Sequence, residues 1–77
     1  MQSNAITNIA EVTPSDAVDL TYPGIGLYVG ISGDVKLTTP GGNTVTLTNL
    51  VAGVMHPIQT VRIFDTGTDA DEIFVGW

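Results

Sequence analysis

Three groups of residues have types and spacing that could do chemistry. Phe64-Asp65-Thr66-Gly67 holds an aspartate in the apolar-Asp-Thr-Gly spacing with which two facing chains can share one proton between carboxylates and activate a water. Only ten residues follow Gly67, too few to complete a substrate cleft, so the expected role is an ordinary turn whose Asp bonds forward to backbone N–H groups. Asp65, Asp69, Asp71 and Glu72 gather the oxygens that calcium prefers, but without the alternating ligands, central glycine turn and terminal Glu of an EF-hand. The acidic turn is therefore read as exposed, keeping a sheet edge from pairing with other chains, with no metal assigned to it. His56 sits before Pro57 among apolar residues with no Ser or Cys nucleophile aligned, so it is read as a packed or loop histidine.

Four glycines fall within Gly24–Gly33, in the stretch PGIGLYVGISGD. A dinucleotide site needs G-x-G-x-x-G between a strand and a helix, whereas here the last glycine of Gly24-x-Gly26-x-x-x-Gly30 comes one place late and strand-like residues follow. With no helix N-terminus and no following Lys-Ser or Lys-Thr, the stretch lacks the donors that hold a phosphate. Its glycines are read as structural, and no cofactor is expected. Gly26 and Gly30 fall on the face opposite Leu27, Val29 and Ile31, which predicts a flat patch beside Tyr28 open to a neighbour's backbone.

The positioning elements must come from 77 residues, which form one domain and bury only about 60% of the surface the unfolded chain exposes. Cysteine is absent and histidine occurs once, which excludes disulfides and a His-rich zinc cage as staples. Association with copies of itself or with a larger partner is the remaining expectation. The net charge of −6, with Lys36 and Arg62 the only basic residues, argues against nucleic acid. No apolar run approaches the roughly 18 residues of a membrane span, and residues 1–16 lack a signal-peptide pattern. Synthesis as a soluble protein in the cytoplasm is expected.

Residues 1–23 are sparse in apolar side chains and interrupted by Pro14 and Pro23, and are read as an N-terminal arm before a β domain over 24–77. Within the arm, Ile6–Val12 reads as one strand and Ser15–Val18 as a single capped turn. From Gly26 the period is two: Leu27, Val29 and Ile31; Val35 and Leu37; Val45, Leu47 and Asn49; Val61 and Ile63; Ile73 and Val75. Threonines fill the intervening positions, as suits a half-exposed pleated surface. Turns at Ser32–Asp34 and Pro40–Asn43 predict consecutive hairpins, a third turn at Thr66–Asp69 precedes the last strand, and Leu50–Pro57 is a longer apolar crossing over one end of the sheet. The fold class is all-β: a small single-domain antiparallel meander, sandwich or barrel-like, with an extended N-terminal arm.

Asp19-Leu20, Gly26-Leu27-Tyr28-Val29-Gly30, Gly33-Asp34-Val35, Gly41–Leu47, Ala52-Gly53, Pro57-Ile58, Val61-Arg62-Ile63, Thr66-Gly67-Thr68 and Ala70 together carry a resemblance. From about Ser15 to Trp77, the order of glycine-punctuated strands resembles the head spike base proteins of gene transfer agents and related tailed-phage particles. The resemblance implies a non-enzymatic, β-rich virion protein on the capsid surface, a head decoration or spike base subunit. It would form a homo-oligomer, trimer or pentamer, bind the major capsid protein and support a fibre protein. The candidate interface residues are Leu20, Tyr22, Tyr28, Phe74 and Trp77, because large groups in desolvated pockets dominate interface energy, and Gly30, where a neighbour's backbone could approach. The rival readings are a tail or baseplate component of the same particle, a glycan- or receptor-binding module using Tyr22, Tyr28 or Trp77, and, last, an aspartic-protease-like enzyme using Asp65.

Overall fold

Seven short strands form, five from the period-two segments, one from the arm and one from the apolar crossing, and no helix occurs among the described residues. The structure, a computed structural model, describes residues 5–77; residues 1–4 of the expected arm lie outside the described residues. In chain order the strands are β1 (Ile9–Glu11), β2 (Gly26–Ile31), β3 (Gly33–Thr38), β4 (Thr44–Leu50), β5 (Met55–His56), β6 (Arg62–Ile63) and β7 (Asp71–Gly76). They form a four-stranded sheet in the order β1-β7-β2-β5 and a three-stranded sheet in the order β4-β3-β6, with every pairing antiparallel.

The two sheets meet through the side chains that alternation assigned to one face. Leu27 and Val29 of β2 lie opposite Val75 and Ile73 of β7, and pack with Val35, Leu37 and Ile63 from the other sheet. All seven are buried, each worth about 1.5–3 kcal/mol of transfer free energy. Ile31 and Val45, expected on the inner face, are instead 50% and 41% exposed. Ile31 ends its strand, and Val45 belongs to the edge strand β4, where neither face of the strand is well covered. A strand edge buries an alternating residue only as far as the facing sheet extends.

The expected run of consecutive hairpins is replaced by sheet changes. Pro40–Asn43 does close a hairpin between β3 and β4. The Ser32 link does not close one, because β2 and β3 lie in different sheets. The link from β6 to β7, through Thr66–Asp69, likewise changes sheets. The apolar crossing after Leu50 contributes β5, which pairs Met55 and His56 with Tyr28 and Leu27.

The N-terminal segment is extended and lies along its own domain. β1 pairs with β7, the Val12 N–H donates to Ile73 O at 2.8 Å, and the Ser15 N–H donates to Ile63 O at 2.9 Å. The segment thus passes from the edge of one sheet to the edge of the other and closes one side of the sandwich. The opposite side is closed by the connection from β4 to β5. At the Ser15–Val18 turn, the Ser15 hydroxyl accepts from the N–H groups of Ala17 and Val18 at 3.2 Å, the bonding of a helix cap with no helix following.

Candidate functional site

The six interface candidates separate into two groups on different parts of the molecule. Tyr28 and Phe74 are register partners on β2 and β7, so period two puts both on the outer face of the four-stranded sheet. Their rings meet edge to face with centroids 6.0 Å apart, an arrangement favoured by the ring quadrupoles. Met55 lies opposite Tyr28 on the other side. This apolar strip runs across the sheet, half-buried by its own members.

Gly30 sits on the same face but leaves no opening beside Tyr28. A Cβ placed on Gly30 would lie 2.7 Å from Glu72 Cβ, and one on Gly26 would lie 2.6 Å from Ile6 Cδ1 and 2.9 Å from Met55 Sδ. The space that the sequence suggested for a neighbour's backbone is occupied by this chain's own Glu72, Ile6 and Met55. Glycine is required there for close approach within the chain. Glu72 reaches this position with φ of +52°, left-handed backbone that costs a non-glycine residue roughly 1–2 kcal/mol.

Leu20, Tyr22 and Trp77 form the second group. Tyr22 stacks on Trp77 with centroids 4.9 Å apart and planes 21° from parallel. Trp77 and Leu20 are half-buried against the core, while Tyr22 is 58% exposed. Beside the stack lies an open groove of about 260 Å³ whose lining includes Val12, Val18, Leu20, Tyr22, Ile63 and Trp77, with Glu11 and Asp19 among its polar walls. The groove exists because the N-terminal segment bridges the two sheet edges without filling the space beneath. Sequence periodicity could not find it, since Val12 and Val18 belong to no alternating run.

The residues with reactive spacing are placed as structural groups. Asp65 is exposed in a turn where Gly67 takes φ of +94°, and that turn is held by Asp16. The Thr66 hydroxyl donates to Asp16 Oδ2 at 2.6 Å and the Thr66 N–H to Asp16 Oδ1 at 2.9 Å. The Thr66 hydroxyl first, then backbone N–H donation from Thr66 and Asp65 and the more distant Lys36 charge, hold the Asp16 carboxyl below the usual aspartate range. Asp69 accepts from the Asp34 N–H, which ties the acidic turn to the start of β3. Among the described residues no group of three or more His, Asp or Glu side chains is arranged to hold a metal ion. His56 Nε2 lies 3.1 Å from Val51 O and pins the β4–β5 connection.

Both basic side chains are engaged. Arg62 Nε donates to Asp19 Oδ1 at 2.7 Å, and its guanidinium lies 5.6 Å from the Phe64 ring centroid. The Lys36 ammonium lies 5.0 Å from the same ring.

No protein-family model matches the chain, and no curated protein does. Among solved structures, the chain is similar to one from the capsid of a native gene transfer agent (GTA) particle computed with C5 symmetry. The two are 34% identical with a TM-score of 0.84, over 95% of this chain and 84% of that one. Glycine-punctuated strands, a two-sheet antiparallel sandwich and this degree of identity over nearly the whole length lead to one assignment: the chain belongs to the family of virion structural proteins represented in that GTA capsid.

Proposed function

We propose that this chain is a head decoration or spike base subunit: it forms a homo-oligomer, binds the major capsid protein on the outer surface of a particle, and supports a fibre. The observation that carries this reading is the 34% identity, spread over 95% of the chain, to a chain of the GTA capsid. The work of such a subunit is adhesion, and no catalytic step is assigned to it. Two surface features support adhesion. The Tyr28–Phe74–Met55 strip supplies apolar area on an outer sheet face, and the Tyr22–Trp77 groove supplies a concave site with apolar and polar walls. The glycan-binding alternative has weaker support, because Trp77 gives one ring face to Tyr22 and packs against the core.

The test is co-sedimentation of the purified protein with capsids assembled from the major capsid protein of the same particle. Saturable binding at a fixed number of copies per capsid is expected. Absence of binding, with binding instead to isolated tails, would move the subunit to the tail or baseplate.

A further inference from the structure

The rows of the four-stranded sheet run out at β1. The inner row passes from Leu27 through Val75 to Ala10, and the outer row from Met55 through Tyr28 and Phe74 to Glu11. Leu27 and Val75 are buried, whereas all three residues of β1 are exposed. Ala10 therefore ends a core row at an uncovered edge, and it lines the groove together with Val12, Val18, Leu20, Tyr22 and Trp77. Val18 and Tyr22 in the groove, and Ile9 beside it, stay more than half exposed.

The backbone of β1 is open on the same side. β1 pairs with β7 alone among the described residues. Asn8 exchanges both backbone bonds with Trp77, and the Val12 N–H donates to Ile73 O at 2.8 Å. An antiparallel ladder alternates bonded and non-bonded pairs, so Ala10 also bonds toward β7, and the N–H and C=O groups of Ile9 and Glu11 point away from it. The other sheet edges suit a further strand less well. β5 has two residues, and the β6 edge is covered where the Ser15 N–H donates to Ile63 O and the Leu20 N–H to Val61 O. β4 carries a register shift and the left-handed Asn49, and lies away from the groove.

We propose that the β1 edge and its groove bind an extended segment of another protein, one in which a basic residue stands between two apolar ones. The segment adds a fifth strand to the sheet, with backbone bonds to Ile9 and Glu11. Side chains alternate across a strand, so the residue beside Glu11 continues the outer row, and its two neighbours project into the groove toward Trp77. Charge selects the outer residue. Glu11 is exposed and forms no ion pair among the described residues, whereas Asp19 on the opposite wall is already neutralised by Arg62. A basic residue beside Glu11 satisfies the one unpaired carboxylate of the groove, and the net charge of −6 favours its approach. A second copy does not supply this segment. This chain's own stretches of that pattern, Val35-Lys36-Leu37 and Val61-Arg62-Ile63, are held in the sheet with Val35, Leu37 and Ile63 buried. Such binding does not depend on where on a particle the subunit sits.

Trp77 is the single tryptophan and lines the groove, so its fluorescence reports occupancy. The probe is a blocked seven-residue peptide with Arg at its centre, Val on each side of it and Ser elsewhere. Added to the full-length protein up to about 1 mM, it should shift Trp77 emission to the blue in a saturable way. In NMR spectra of labelled protein, the backbone N–H signals of Ile9 and Glu11 should move downfield over the same range. Methylating the backbone nitrogen of the peptide's Arg keeps every side chain but removes its bond to the Glu11 carbonyl, and should weaken binding about tenfold. Glu11→Gln, at an exposed position where folding is spared, should weaken it to a similar extent, and Glu11→Lys should prefer a peptide with Glu at its centre. Three results would overturn the inference: no change at Trp77 over this range, equal binding of the Glu-centred peptide to the wild type, or undiminished binding of the methylated peptide. Peptide binding lost while capsid co-sedimentation persists would remove this site and keep the virion role.

Discussion

Replacing Gly30 with Ala probes whether the glycine serves folding within the chain or contact between chains. The added Cβ would lie 2.7 Å from Glu72 Cβ and 2.8 Å from its Oε1. Facing Cβ atoms in an antiparallel pair normally stand about 4.5–5.5 Å apart, so β2 and β7 would have to separate or Glu72 would have to move. Neither is easy. Glu72 lies at φ of +52° between the register pairs Val29–Ile73 and Ile31–Asp71. Overpacking of this kind costs about 1–3 kcal/mol. A chain of 77 residues is expected to hold roughly 4–12 kcal/mol in total, at 0.05–0.15 kcal/mol per residue, so the loss is a substantial share. At about 4–8 °C per kcal/mol, a loss of about 2 kcal/mol lowers Tm by roughly 8–16 °C. Glu72→Gly alone should be nearly neutral, because relief of the left-handed backbone offsets the greater freedom of glycine in the unfolded chain. In the double variant the obstructing Cβ is gone, and most of the Gly30→Ala cost should disappear. Urea denaturation of the four proteins gives the coupling, expected at about 1–2 kcal/mol. The cost should be the same at every protein concentration. A Gly30→Ala variant within about 0.5 kcal/mol of wild type, or additive effects in the double variant, would refute the close-approach argument.

Asp16 makes stability depend on acidity in a direction that follows from its bonds. Its folded carboxyl titrates below the unfolded one because Thr66 donates to the charged form, so the contribution is present above about pH 4 and is lost as pH falls through the folded value. Melting curves of wild type and Asp16→Asn over this range should converge as the pH drops, and a constant gap down to the lowest pH would contradict the assignment. Asn49 has φ of +56° and donates its N–H to Asp34 Oδ1 at 3.0 Å. Asn49→Ala should cost about 1 kcal/mol and Asn49→Gly little or nothing, as measured by urea midpoints, because the site selects for tolerance of left-handed backbone.

Much of the fold was legible in the sequence because side-chain alternation is a local property of a strand. Leu27, Val29, Val35, Leu37, Ile63, Ile73 and Val75 were all assigned to an inner face, and all are buried. The absence of helix followed from the same period, and the β3–β4 hairpin followed from Pro40–Asn43. Alternation cannot say which strand faces which. It therefore could not distinguish the sheet-changing Ser32 link from a hairpin, or recognise that β4 extends beyond the cover that would bury Val45.

The candidate surfaces divide in the same way. The sequence by itself determined the aromatic residues, the family resemblance and the uncharged run between Lys36 and Arg62, since these are matters of residue identity and order. Tertiary structure alone decided that Tyr22 meets Trp77 across 55 positions (77 − 22), that Asp16 holds the Thr66 turn, and that Glu72 fills the space above Gly30. It also placed β4 and β5, from the middle of the uncharged run, at the sheet edges away from the groove. The physical reason is the range of each constraint: the pleat fixes the direction of each side chain from its immediate neighbours, whereas a groove or a covered glycine depends on which distant segment packing brings alongside.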